Sequence, residues 1–359
     1  MPPITFYPGP AKIYPPVATY LQEAYDEGIL SINHRSAACG EIVKATVALL
    51  GEKLNVPADY GVFFVSSATE SWEIISQSLV REQGFHVHNG AFGQKWLDYA
   101  RRIRPLSIGH PYNLNEELTA GRLQIPPETE VLCLTHNETS NGTQLPVATI
   151  AALRSDRYLT AVDVTSSLGG VALDFTKADV WLASVQKCLG LPAGLGLLIC
   201  SPRALQRAGE IKDGRHYNSL LFLHENARQY QTQYTPNVLN IYLLMRVLQY
   251  VEPIAAVAER VRKQAGEWYQ FLGQEGSPFR LLVTNPAVRS DTVVAVGGEP
   301  STLSRIKSQA SQVGIVLGNG YGPWKETTLR IANFPAIEPK EISALKHFLV
   351  LNSGVGWQG

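Results

Sequence analysis

The sequence predicts an α/β protein: a mostly parallel sheet with helices on both faces, followed by a smaller α+β lobe. Three observations predict it. Between residues 61 and 200, short apolar runs alternate with stretches of helical periodicity, the rhythm of strand–helix–strand units. Near Val238 that rhythm gives way to two long helical stretches and then to shorter mixed elements. The 359 residues also exceed what one small core organises, which suits two lobes.

The elements follow in order. Phe6-Tyr7-Pro8-Gly9-Pro10 is irregular and extended, because Pro and Gly forbid a helix there. Residues 41–54 place Ile42, Val43, Val47, Leu49, Leu50 and Leu54 at roughly helical spacing, with Pro57 beyond the stop. Residues 61–65 read as a buried strand that ends in Ser66-Ser67-Ala68-Thr69, and a helix runs on to residue 80. Strands at 85–88, 131–135, 159–162, 180–184 and 196–200, and helices at 93–102 and 147–154, continue the pattern. The second lobe takes helices at 238–250, 254–274, 302–312 and 339–351, with strands at 280–282, 292–296 and 329–332. The helix that starts near Val238 is expected to join the lobes.

Composition narrows the function. Apolar residues make up 45% and charged residues 17%, as in a folded soluble protein. Lys+Arg and Asp+Glu balance at 31 each, so no global attraction to nucleic acid or an anionic membrane is expected. No apolar run reaches the ~18 residues of a membrane span. Met1-Pro2-Pro3-Ile4-Thr5 lacks a basic segment followed by an apolar one, so a cytoplasmic protein is expected. Cys39, Cys133, Cys188 and Cys200 form no CxxC pair, so neither a metal site nor a disulfide framework is expected.

In open α/β sheets, ligands collect beyond the carboxyl ends of the strands. Ser66–Thr69, Asn89–Phe92, His136–Thr139, Asp163 and Gln186-Lys187 stand at those ends. A lysine there, such as Lys187, can lose its proton when desolvated and then attack an aldehyde. Taken alone, the same lysine reads as a solvated turn residue. Asp163 can pair with a protonated pyridine nitrogen, or can cap a turn. Ser67-Ala68-Thr69 opens a helix, where free N–H groups hold a phosphate or Ser merely caps. Phe92 can stack on a flat ring, and Thr139 can hydrogen-bond near it. Arg330 is an arginine inside an apolar strand, suited to a carboxylate or to a structural ion pair. His34-Arg35 is a basic pair able to bind an anion. None of these signals is specific alone; their order and spacing together are.

On Tyr7-Pro8-Gly9-Pro10-Ala11, Ile32-Asn33-His34-Arg35-Ser36, Asn137-Glu138-Thr139-Ser140-Asn141-Gly142, Gln186-Lys187, Tyr234-Thr235-Pro236-Asn237 with the upstream His224-Glu225-Asn226, and Leu329-Arg330-Ile331-Ala332-Asn333-Phe334, the chain resembles the fold-type I, class V aminotransferases. Within them it is most similar to the phosphoserine aminotransferase branch. That resemblance implies a fold-type I transferase with a large domain over 15–240 carrying a mostly parallel seven-stranded sheet. It also implies a small domain over 241–359, the two joined by segment 1–14. It implies pyridoxal 5′-phosphate (PLP) held as a Schiff base on Lys187, with Asp163 facing the pyridine nitrogen. Phe92 would stack on the ring, Thr139 would lie near its phenolic oxygen, and Ala68, Thr69 and Gln186 would hold its phosphate. In a homodimer, Tyr234 and Thr235 would reach the partner's cofactor phosphate and His34-Arg35 the partner's substrate phosphate. Arg330 would bind the substrate α-carboxylate. The implied reaction is transamination between O-phospho-L-serine and 2-oxoglutarate, in serine biosynthesis.

Three positions depart from that pattern. Phe92 stands where the branch has tryptophan, and Tyr234 where it usually has asparagine. Gly322-Pro323-Trp324-Lys325-Glu326 replaces a second His-Arg pair, leaving Lys325 as a substitute cation. Asn89-Gly90-Ala91-Phe92-Gly93, the stretch from Val162 to Gly170 and Gln186-Lys187-Cys188-Leu189 lean instead toward the alanine/serine–glyoxylate branch, whose substrates carry no phosphate. A class V desulfurase is disfavoured by Gln186 in place of histidine. A nicotinamide oxidoreductase is disfavoured by the lack of a GxGxxG turn after the first strand. A catalytically dead binding protein is disfavoured by the presence of both Asp163 and Lys187.

Overall fold

The computed structural model describes residues 3–352; the outermost parts of the expected N-terminal segment and C-terminal lobe, 1–2 and 353–359, lie outside the described residues. Its strands are β1 (Ile4–Phe6), β2 (Gly61–Val65), β3 (Gly84–His88), β4 (Ile108–Pro111), β5 (Val131–Thr135), β6 (Asn137–Glu138), β7 (Thr143–Gln144), β8 (Leu159–Asp163), β9 (Val180–Ser184), β10 (Gly196–Cys200), β11 (Arg280–Leu281), β12 (Val293–Gly297), β13 (Ile315–Asn319) and β14 (Thr328–Ala332).

Seven strands form one sheet in the order β2-β10-β9-β8-β5-β3-β4. All neighbours are parallel except β10, which runs antiparallel to both β2 and β9. The inner strands β5, β8, β9 and β10 are buried along nearly their whole length. This is why they read as continuous apolar runs rather than alternating ones. The edge strand β4, Ile-Gly-His-Pro, is partly exposed and was not expected from the sequence. Gly and Pro weaken a strand signal, and an edge position tolerates both.

The second sheet has the order β1-β13-β14-β12-β11. The extended N-terminal segment supplies β1, which pairs in parallel with β13, so the chain's start and its last third share one sheet. The helix Val238–Tyr250 packs its buried face into the core of the large sheet rather than opening the second lobe. Side chains as far as Val261 belong to that core, whereas Trp268 and Leu272 of the same long helix, Ile254–Gly273, belong to the core of the small sheet. The change of core therefore falls inside that helix, later than the change of sequence rhythm at Val238. No single helix among the described residues is long and apolar enough to cross a membrane.

The large sheet collects chemistry at one edge. Register places Thr135 beside Asp163 and Asp163 beside Leu182, at the carboxyl ends of β5, β8 and β9. Gly196 opens β10 so close to Ser67 that a Cβ there would lie 2.6 Å from the Ser67 carbonyl carbon. This glycine lets the start of the helix Ala68–Ser78 settle against the strand ends.

Candidate active site

A cleft of about 200 Å³ opens at these strand ends, lined by residues of both sheets and of the N-terminal segment. Lys187 follows β9 and is 7% exposed. Gly9 packs on its stem: a Cβ at Gly9 would lie 2.9 Å from Lys187 Cε, and the Gly9 φ of +130° suits glycine. Ala11 N–H donates to the Gln186 carbonyl at 2.9 Å, which ties the N-terminal segment across the lysine. The Lys187 Nζ donates to Thr139 Oγ1 at 2.7 Å and to Ser166 Oγ at 2.8 Å. It also lies 5.1 Å from the centre of the Phe92 ring. Burial pulls the amine down to about 8 from 10.5, although Asp163 and Glu138 oppose the shift.

Asp163 ends β8 and is 6% exposed. One carboxylate oxygen accepts the Thr165 N–H at 2.9 Å, the other the Trp72 indole N–H at 3.1 Å. Burial raises its pKa, partly offset by those bonds and by Lys187. Trp72 follows Thr69 by three residues on the helix Ala68–Ser78 and so shares its cleft-facing side. Ser67 caps that helix by accepting the Glu70 N–H at 3.1 Å, and Ala68 N–H donates to Ser184 Oγ at 2.8 Å. Thr69 lies exposed in the first turn, where the helix dipole favours an anion.

Phe92 opens the helix Ala91–Ile103, and that helix is held by a carboxylate, Glu138. Glu138 Oε2 accepts the N–H groups of Phe92 and Gly93, both at 3.1 Å, while Oε1 accepts Ser140 N–H and Oγ at 3.0 and 2.6 Å. These bonds hold Phe92 at the cleft wall, where Tyr321 stacks on it with ring centres 5.1 Å apart. A Cβ at Gly90 would lie 2.3 Å from Glu138 Cγ, so the carboxylate reaches the helix only past glycine.

Arg330, on β14, is 4% exposed. Its Nε donates to the Asn319 carbonyl at 2.7 Å and its Nη1 to the Thr139 carbonyl at 2.8 Å. Among the described residues it forms no ion pair with a carboxylate, which separates it from the structural alternative. It lines the cleft with Lys187 and Gln186.

The structure therefore brings together Ala68, Thr69, Phe92, Thr139, Asp163, Gln186, Lys187 and Arg330. It does not bring Lys325 there: that side chain is exposed and outside the cleft lining, while Tyr321 of the same loop takes the place at the mouth. His34, Arg35, Tyr234 and Thr235 also lie outside the cleft of their own chain. They share a neighbourhood, since Arg35 Nη1 donates to Gln231 Oε1 at 2.6 Å, three residues before Tyr234. The sequence reading gave no role to Trp72, Glu138, Ser166 or Tyr321. Only Trp72 carried a usable signal, its three-residue spacing from Thr69.

The sequence model of the class-V aminotransferase family matches residues 5–321, and the chain belongs to that family. It is a PLP-dependent aminotransferase with the α/β fold of the fold-type I enzymes. The phosphoserine aminotransferase of Rhodococcus opacus is 29% identical over 355 residues, covering 94% of this chain and 91% of that protein. A phosphoserine aminotransferase structure from Cytophaga hutchinsonii superposes with a TM-score of 0.92 at 32% identity, covering 98% of this chain and 99% of the other. Pyridoxamine–pyruvate aminotransferase from Mesorhizobium loti, at 22% identity and a TM-score of 0.86, covers 97% of this chain and 91% of its own and shares the fold.

The residues present suit the cofactor. The cleft offers an amine of lowered basicity for an aldehyde, a buried carboxylate for a ring nitrogen, an aromatic wall and a helix N-terminus for a phosphate. Asn137 also lines it, with an Nδ2 that is buried and has no hydrogen-bond partner among the described residues, a donor left over for a bound oxygen.

Proposed function

We propose that the chain transfers the amino group of L-glutamate to 3-phosphohydroxypyruvate, giving O-phospho-L-serine and 2-oxoglutarate, as a cytoplasmic step of serine formation. The observation that carries the reaction class is the buried Lys187 amine, in one cleft with Asp163 and with an arginine that has no carboxylate partner among the described residues. The overall likeness to phosphoserine aminotransferases supports the substrate.

Bound in this cleft, PLP supplies an electrophilic aldehyde and a ring that accepts the electron pair left on the substrate α-carbon. Lys187 acts as the base that takes the α-proton and returns it elsewhere in the cycle. An amine whose basicity burial lowers to about 8 suits that task. Asp163, its carboxylate aligned by Trp72 and Thr165, would pair with the ring nitrogen. Ala68, Thr69 and Gln186 would hold the cofactor phosphate, Thr139 its ring oxygen and Phe92 its face. Arg330 turns its free N–H groups to the substrate carboxylate. The active unit is a homodimer in which Tyr234-Thr235 and His34-Arg35 of one chain complete the cleft of the other. Their position together, away from their own cleft, supports this arrangement.

A second reading keeps the chemistry and changes the substrate. Apart from Lys187, Arg330 is the one cation among the described residues lining the cleft, and Lys325 stays outside it. Passing the amino group of a small amino acid without phosphate to glyoxylate needs no more. An absorbance titration of the holoenzyme separates the two. Bleaching of the cofactor's visible band by O-phospho-L-serine at far lower concentration than by L-alanine or L-serine is the expected result. Equal or better bleaching by alanine or serine moves the substrate to the glyoxylate branch.

A further inference from the structure

The loop between β13 and β14 lies over the cleft and is braced from within. Gly320 N–H donates to the Thr328 carbonyl at 3.1 Å, and Thr328 Oγ1 donates to the Trp324 carbonyl at 2.8 Å. Trp324 N–H donates in turn to the Tyr321 carbonyl at 3.1 Å. A Cβ at Gly320 would collide with the Trp324 carbonyl, so the turn closes this tightly only on glycine. Trp324 is half-buried and lines one groove with His88, Gly90 and Gln94, at the start of the helix Ala91–Ile103. The loop is therefore seated on that helix, with Lys325 left in solvent.

Tyr321 is the side chain that this seat delivers to the cleft. Its ring stacks on Phe92, with centres 5.1 Å apart and planes at 24°. The Arg330 guanidinium carbon lies 5.5 Å from the centre of the same ring. The phenol ring thus spans from the wall of the large sheet to the arginine of the small one. Arg330 commits Nε and one Nη1 hydrogen to the Asn319 and Thr139 carbonyls, and its remaining N–H groups are open to a carboxylate. A carboxylate gripped there brings its own α-carbon, and the β-carbon one bond further, within contact reach of the Tyr321 ring. The far end of a long side chain lies beyond that reach.

We propose that Tyr321 is a specificity-determining residue that admits substrates unbranched at the β-carbon and turns away those branched there. The proposal rests on the reading of Arg330 as the carboxylate grip. Its cause is steric. A second substituent on the β-carbon meets a ring that has little room to yield, because Phe92 backs it and the braced loop fixes its stem. Phe92 is itself tied to Glu138 through its backbone N–H, so the wall continues into the fold. O-Phospho-L-serine, L-glutamate, L-alanine and L-serine are all unbranched at this carbon. The ring therefore sets the class of side chain and leaves the question of a phosphate to other groups.

The test uses two isomers, L-norvaline and L-valine, which differ in where one methyl group sits and carry no phosphate. Each is mixed with the holoenzyme without a keto acid, and bleaching of the visible band gives a limiting rate and a half-saturating concentration. The unaltered protein should favour L-norvaline by roughly 10- to 100-fold in the ratio of the two. Tyr321→Ala should shrink that preference by about 10-fold, chiefly through tighter binding of L-valine. Tyr321→Phe keeps the ring and should keep the preference. Pentanoate and 3-methylbutanoate, the same skeletons without the amino group, are titrated calorimetrically into the holoenzyme and read the contact as binding alone. Their preference should shrink in the same way, and they decide where both amino acids react too slowly to follow. Tyr321 is 37% exposed, so the variants should melt as the unaltered protein does. A preference that Tyr321→Ala leaves unchanged overturns the proposal, as does its absence from the unaltered protein. A fall shared equally by both isomers does the same, since it would mark a purely structural residue. Failure of L-glutamate to bleach the band would instead remove the aminotransferase reading, so the two failures are distinct.

Discussion

At the floor of the cleft the charged groups are buried and bonded within one chain, whereas the two cations proposed to read the far end of the substrate, at the rim, stand outside it. Lys187, Asp163, Glu138 and Arg330 are each less than a tenth exposed, and each has at least two hydrogen-bond partners. Arg35 and Lys325 are exposed, and neither lines the cleft. The difference separates two tasks. Proton transfer needs groups already held in place, because a displaced base loses rate steeply. Reading the far end of a substrate can be left to loops and to a second copy, where a change of residue does not disturb the chemistry.

The largest expected effect breaks the floor. Lys187→Ala should lower turnover by on the order of 10⁴-fold or more, since it removes both the covalent attachment and the base. Steady-state rates with glutamate as donor measure it. The substitution also leaves Thr139 and Ser166 without their shared partner, so the melting curve should be recorded beside the rate. Near-normal turnover would mean that the floor has been misread.

A smaller effect should come from the rim. Arg35→Ala should cost roughly 10- to 100-fold in kcat/KM for a phosphorylated substrate, the loss of a charge-assisted hydrogen bond. The rate with L-alanine should stay as it was. Because Arg35 bonds Gln231 and Asn226 of its own chain, the variant also loosens the segment that leads to Tyr234. Cofactor affinity measured alongside distinguishes a lost substrate contact from a loosened segment. A loss shared equally by phosphorylated and unphosphorylated substrates would favour the reading without a phosphate pocket.

The same contrast explains what was legible in the sequence. The inner strands were legible because both their faces are covered, so their apolar runs are uninterrupted. Lys187 and Asp163 were legible because each closes such a run with a charge. β1 was not, since three residues have no periodicity and their pairing with β13 spans nearly the whole chain. The helix Pro202–Ile211 was missed although Ser201 caps it and Pro202 opens it, the expected start signals. Ser166 and Thr292 meet across 126 positions, and Arg330 and Thr139 across 191. No local pattern announces such contacts. The rim was the least legible part: that Tyr321 rather than Lys325 lines the cleft follows from how one loop lies over Phe92.

The smallest expected effect tests whether the buried histidines of the large sheet stay dry. Burial drives the His136 ring down to about 4 and the His86 ring to about 3, from an ordinary 6.5. An unfolded chain takes up those protons as pH falls through 6.5, while the folded chain refuses them until about 4 or below. The unfolded state therefore binds more protons in that window, and stability should fall as pH falls across it. Asp163 and Glu138 have pKa values raised by burial and act in the opposite sense, so the slope of one protein alone is ambiguous. His136→Asn isolates the histidine part. Asparagine keeps a polar group for Ser167, which lies 2.7 Å from Nδ1, but cannot be protonated in this range. Melting temperatures measured from neutral pH down to about 4 should fall less steeply in this variant than in the unaltered protein. Equal slopes would mean that His136 protonates readily in the folded chain, hence that water reaches the carboxyl end of β5 where it stands.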